Sequence, residues 1–122
     1  MSEELDIAGK FIMKHFRDNA LSKLDALIEG KLKAPGLLAL QSSIGSLGSE
    51  EIEILKKACI ESIDSGLHDF LFALQVATDN NEHIKFVVNG KNIAELSDGL
   101  QGELFTEDGW FTKFSAYGEA SE

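Results

Sequence analysis

The sequence predicts a mainly α (α+β) fold: a helical domain with a long central helix and one small β-hairpin near residues 84–96. Three observations carry this expectation. From Leu5 to Ala77 apolar residues recur at steps of three and four, the spacing of one helix face. Within that stretch the stripe Ile52, Leu55, Cys59, Ile63, Leu67, Phe70, Leu74, Ala77 runs on past the length of an average helix. Asn89-Gly90 then stands between Ile84-Lys85-Phe86-Val87-Val88 and Lys91-Asn92-Ile93, where it supplies the positive φ angles of a type I′ hairpin turn.

Each element has its own signal. Over residues 5–30, Leu5, Ala8, Ile12 and Phe16 form an apolar face with Phe11 beside it, continued by Leu21, Leu24, Leu27 and Ile28. This segment reads equally as one helix or as two meeting near Asn19. Gly30 suits a helix stop, with Lys31 and Lys33 near the negative helix end. Pro35 suits the first turn of a short helix through Leu37, Leu38, Leu40 and Ile44. Ser49, followed by Glu50 and Glu51, reads as the N-cap of the central helix over residues 49–78. Its second half is apolar on several faces, which predicts burial by neighbours on more than one side. Thr106 reads as the N-cap of a last helix near residues 107–114 that presents Trp110, Phe111 and Phe114. Residues 1–115 are expected to form one globular domain and residues 116–122 a flexible tail.

Composition narrows the function classes. The chain has 122 residues, 43% of them apolar, and a net charge of −10. Residues 1–35 carry equal numbers of acidic and basic groups, whereas residues 36–78 carry six acids against two bases and residues 79–122 nine against three. Such a field repels nucleic-acid phosphates and anionic membranes and favours encounter with a basic partner. It also serves solubility alone. The acidic start Met1-Ser2-Glu3-Glu4 lacks the basic n-region of a signal peptide, and the lone Cys59 fits a reducing compartment, so a cytoplasmic location is expected.

Catalytic arrangements find little support. Cys59 and His68 stand about 180° apart on a regular helix, which keeps a thiol and its base from meeting. Asp64 and His68, at i and i+4, form a possible carboxylate–imidazole dyad without a nucleophile. No zinc spacing, calcium loop or phosphate-binding glycine loop is present, so no metal or cofactor is expected.

The block from Ser97 to Trp110 is the least generic part of the chain. It holds Gly99, Gly102 and Gly109, the carboxylates Asp98, Glu103, Glu107 and Asp108, and the single tryptophan. Turn and cap chemistry accounts for part of it: Asp98 opens a turn at Gly99, and Glu107 and Asp108 favour a helix start. The rest points to a partner-binding surface formed by Asp98, Glu103, Glu107, Asp108 and Trp110. Ser97-Asp98-Gly99-Leu100-x-Gly102-Glu103-Leu104-x-Thr106-Glu107-Asp108-Gly109-Trp110, together with Leu67-His68-Asp69-Phe70-Leu71, resembles a group of small uncharacterised bacterial proteins over about half the chain. In size, acidity and cytosolic character the chain is similar to immunity proteins of toxin systems. That similarity implies a non-enzymatic inhibitor that binds a basic partner such as a toxin nuclease domain, and it assigns no residues. The competing readings are a small enzyme using Asp64, His68 and Glu103 or Asp108, and a regulatory module acting through an exposed apolar patch.

Overall fold

The computed structural model describes residues 2–105 and 107–119. It is mainly α with one small β-hairpin. Residues 3–29 follow a single helical path composed of α1 (Glu3–Ile12), a π-helical segment (Met13–Asp18) and α2 (Asn19–Glu29). Met13 and Asn19, at the two junctions, keep right-handed helical dihedrals, so the chain does not break near Asn19. Ser2 Oγ accepts the Leu5 N–H at 3.4 Å, and Glu3, Glu4 and Asp6 fill the positive first turn.

The π segment changes which side chains face inward. On a regular α-helix, residues four apart drift about 40° around the axis. The wider i→i+5 turns absorb that drift, and Gly9, Met13, Arg17 and Leu21 are all buried. Phe11 and Phe16, expected on the apolar face, are exposed instead.

In α3 (Pro35–Gly45) Ile44 and Gln41 are buried while Leu38 and Leu40 are exposed. Gln41 turns back on the preceding loop: its Nε2 donates to Leu32 O at 2.8 Å and its Oε1 accepts the Leu32 N–H at 2.9 Å. The central helix α4 (Ser49–Asp79) has 31 residues. Its N-cap is Gly48 rather than Ser49, because the Glu51 carboxylate reaches back to accept the Gly48 N–H at 2.7 Å.

The buried face of α4 is Leu67, Leu71, Leu74 and Ala77. Phe70 and Phe72 are 57% and 51% exposed, so the second half is covered on one side and not on several. Leu71 faces the core, and its two sequence neighbours project about 100° to either side of it. The hairpin pairs β1 (Val87–Val88) with β2 (Lys91–Asn92) through Asn89 and Gly90 at φ of 51° and 79°. It is shorter than expected, because β2 turns directly into a 3₁₀ turn at Ile93–Leu96.

A second 3₁₀ turn, Leu100–Leu104, leads to α5 (Trp110–Phe114). The N-cap of α5 is Gly109, so Glu107 and Asp108 occupy a turn ahead of the helix rather than its first turn. Thr106, expected as that N-cap, lies outside the described residues. A Cβ on Gly109 would collide with the carbonyl oxygen of Phe105, so this approach requires glycine.

The core lies where α1, the second half of α4 and the segments after the hairpin meet. Leu5, Ala8, Ile12, Met13, Leu67, Leu71, Leu74, Ile93, Ala94, Leu100, Leu104, Trp110 and Phe111 form one buried cluster. Gln75 fastens both 3₁₀ turns to α4: its Nε2 donates to Ala94 O at 3.0 Å and its Oε1 accepts the Leu100 N–H at 2.9 Å. The main support of the acidic glycine block is therefore α4. Among the described residues no helix is long and apolar enough to cross a membrane.

Candidate binding groove along α4

An open groove of about 540 Å³ runs beside the middle of α4. Helical spacing sets its floor: Lys57, Ile60, Glu61, Asp64, Ser65, His68 and Asp69 share one side of the helix. Phe105, Phe111 and Glu119 are brought against that side by the C-terminal segments. Glu61, Asp64, Asp69 and Glu119 thus stand around two aromatic rings, with Lys57 as the lysine in the lining.

Arg17 anchors the inner wall. The chain's single arginine, it lies at 0% exposure, and its Nε and Nη2 donate to the two oxygens of Asp64 at 2.7 and 3.0 Å. This fork-to-fork geometry is the strongest form of a charge-assisted pair. Its guanidinium carbon stands 4.0 Å from the centre of the Phe111 ring, and Nη1 donates to Ser115 Oγ and to the carbonyl of Gly118. Asp18 accepts from Ser115 Oγ at 2.6 Å and from the Ala116 N–H at 3.0 Å. These bonds tie Ser115, Ala116 and Gly118 to the π segment, so residues 116–118 of the segment expected as a flexible tail lie against it. Residues 120–122 lie outside the described residues.

The Asp64–His68 dyad is not formed. Asp64 spends both oxygens on Arg17, while His68 Nδ1 lies 3.1 Å from Asp69 Oδ1. Glu103, the proposed third member, belongs to another cleft of about 410 Å³ that Asp6, Ser97 and Asp98 also line. There Ser97 Oγ donates to Glu103 Oε2 at 2.6 Å and accepts the Gly99 N–H at 3.1 Å. Glu103 therefore braces the turn through Ser97. Among the described residues no three His, Cys, Asp or Glu side chains gather as a metal site.

Of the residues expected to form one partner-binding surface, Asp98 and Glu103 share the second cleft, whereas Trp110 is buried. Asp98 is exposed at the rim of the second cleft, and Glu107 and Asp108 are exposed on the turn before α5. Trp110 is 2% exposed and packs on the backbone of Gly9, where an added Cβ would fall 2.5 Å from its Nε1. It closes the core and is removed from the surface set. The exposed aromatic residue in the lining of the α4 groove is Phe105, 41% exposed, with its ring 5.6 Å from Phe111 in an edge-on arrangement and 6.1 Å from His68.

Sequence reasoning missed Arg17 because a uniform 3.6-residue period turns it away from the core. The signal was present as a pair. Arginine sits between Met13 and Leu21 at steps of four, and Asp64 lies three residues before Leu67 on the buried stripe of α4. A cation and an anion on two apolar stripes call for each other. No family model matches the chain, and no curated protein or solved structure matches it.

Proposed function

We propose that the chain is a non-enzymatic binding protein for a basic protein partner, which docks at the groove along α4. The observation that carries this reading is the groove's makeup: Glu61, Asp69 and Glu119 outnumber Lys57 in a lining that includes the exposed Phe105, while the fourth carboxylate, Asp64, is paired to Arg17, on a molecule of net charge −10. Fields of one sign in an open cleft speed encounter and orient a partner of opposite sign. The exposed ring of Phe105 beside these carboxylates supplies the apolar contact that charge alone lacks. The specific form is an immunity-type inhibitor, with the carboxylates facing basic groups by which a toxin nuclease domain grips nucleic acid. Asp98, Glu107 and Asp108 add to the field from the neighbouring surface.

The test is recovery of the complex from native cytosol on the immobilised full chain. A basic protein is expected, held weakly above roughly 0.3 M salt and lost with Glu61→Lys plus Asp69→Lys. A partner without basic character, or a complex unmoved by salt and by both charge reversals, overturns the proposal.

A second reading draws on a separate observation. Leu38 and Leu40 are exposed on α3, which carries no charged residue. Docking through such apolar surface predicts a complex that holds or tightens as salt rises, the opposite of the acidic groove.

A further inference from the structure

The groove contains, on its inner wall, a completed example of guanidinium recognition. Asp64 grips Arg17 by two parallel hydrogen bonds while the ring of Phe111 lies 4.0 Å from the guanidinium carbon. The outer wall presents the same kinds of side chain, with Lys57 as the cation in the lining. Phe105 stands edge-on to Phe111, lines the groove and is 41% exposed, and Glu61 and Asp69 line the same groove. Among the described residues, Ser65 Oγ donates to one oxygen of Glu61 and His68 Nδ1 lies at hydrogen-bond distance from one oxygen of Asp69. A carboxylate accepts at both oxygens, so each retains an acceptor for an incoming donor.

We propose that this outer wall receives an arginine side chain of the partner, in preference to lysine, with its guanidinium against Phe105 and paired to Glu61 or Asp69. The inference rests on the reading of the chain as a binder of a basic protein. Charge complementarity alone treats the two cations alike. A planar guanidinium gains more than an ammonium from an aromatic ring beside a carboxylate, because it stacks on the ring and still directs its N–H fork to the acid. The occupant is therefore a basic segment with an arginine at its centre.

Two blocked peptides, tetra-arginine and tetra-lysine, test this by amide chemical-shift titration of the full chain at low salt. The expected result is a set of shifts centred on Ser65, His68, Asp69 and Phe105, with tetra-arginine bound about two- to fivefold more tightly. Phe105→Leu keeps an apolar side chain at a partly exposed position and is expected to remove the preference while the folded spectrum persists. Glu61→Gln plus Asp69→Asn is expected to weaken both peptides. Equal affinity for the two peptides, shifts centred on Asp98 or on Glu107 and Asp108, or a preference that survives Phe105→Leu overturns the arginine site and leaves the broader proposal standing. Absence of binding by either peptide at low salt, together with a native complex indifferent to charge reversal, overturns both.

Discussion

The Arg17–Asp64 pair sets the energetic terms at the scale of single residues. A guanidinium at 0% exposure has given up its water, and Asp64, Ser115 and Gly118 replace it. Removing one partner strands the other charge, which costs more than removing both. Asp64→Ala is expected to destabilise the chain by about 3 kcal/mol in urea denaturation, near the low end for a buried pair because Asp64 keeps part of its surface in solvent. Arg17→Met with Asp64→Leu is expected to cost less than Asp64→Ala alone, and a larger loss in the double variant would refute this account. A second prediction concerns Gly9. Gly9→Ala drives a methyl group into the indole of Trp110 and is expected to cost about 1–3 kcal/mol. Trp110→Ala removes the ring that a methyl would strike, so a double-mutant cycle is expected to show strong coupling between the two sites. Additive losses would mean that the contact does not set the position of α5.

At the scale of elements, the π segment decides how the first helix meets the rest. It keeps Met13 and Arg17 on the buried side, and Arg17 then gathers Asp64, Phe111 and residues 115–118 around it. The sequence made the helix legible but not this shift, since the periodicity of Leu5, Ala8 and Ile12 fits a regular helix until Met13. The central helix and the Asn89-Gly90 turn were legible because each depends on local chemistry: a sustained apolar stripe, and positive φ at two adjacent residues. The path after the hairpin was not, because its 3₁₀ turns owe their placement to Gln75, a polar residue on a distant part of α4. Gln75→Leu leaves the Leu100 N–H and the Ala94 carbonyl without these partners, at about 1–3 kcal/mol for each buried group. The measurement is amide exchange: Leu100 is expected to lose protection while Leu21 and Leu24 retain theirs. Uniform loss across the chain would show that these turns unfold only with the whole molecule.

At the scale of the whole molecule, burial is unevenly distributed along α4. Its second half packs into a cluster that holds Trp110, Phe111, Met13 and Leu71, whereas Ile52, Leu55, Cys59 and Ile63 in its first half are half-buried. The fully buried apolar side chains of α2 and α3 are Leu21, Leu24 and Ile44. The sequence stripe is equally apolar at both ends of α4, so this asymmetry follows from which elements pack against it and cannot be read from the stripe itself. The groove lies between the two regions, with Lys57 and Ile60 toward the thin end and His68 and Asp69 toward the core. Stability is therefore expected to fall from the core toward α3, since local opening exposes little apolar surface there. Native-state amide exchange is expected to give α3 an opening free energy well below that of Leu71 and Leu74, with the first turns of α4 in between. Increasing denaturant is expected to merge the two only near the global transition. Equal protection in α3 and the core would show that the molecule unfolds as one unit. A gradient would place the groove at the edge of its rigid part, with the core-side wall of Phe105 and Phe111 fixed and the Lys57 end free to adjust to a bound segment.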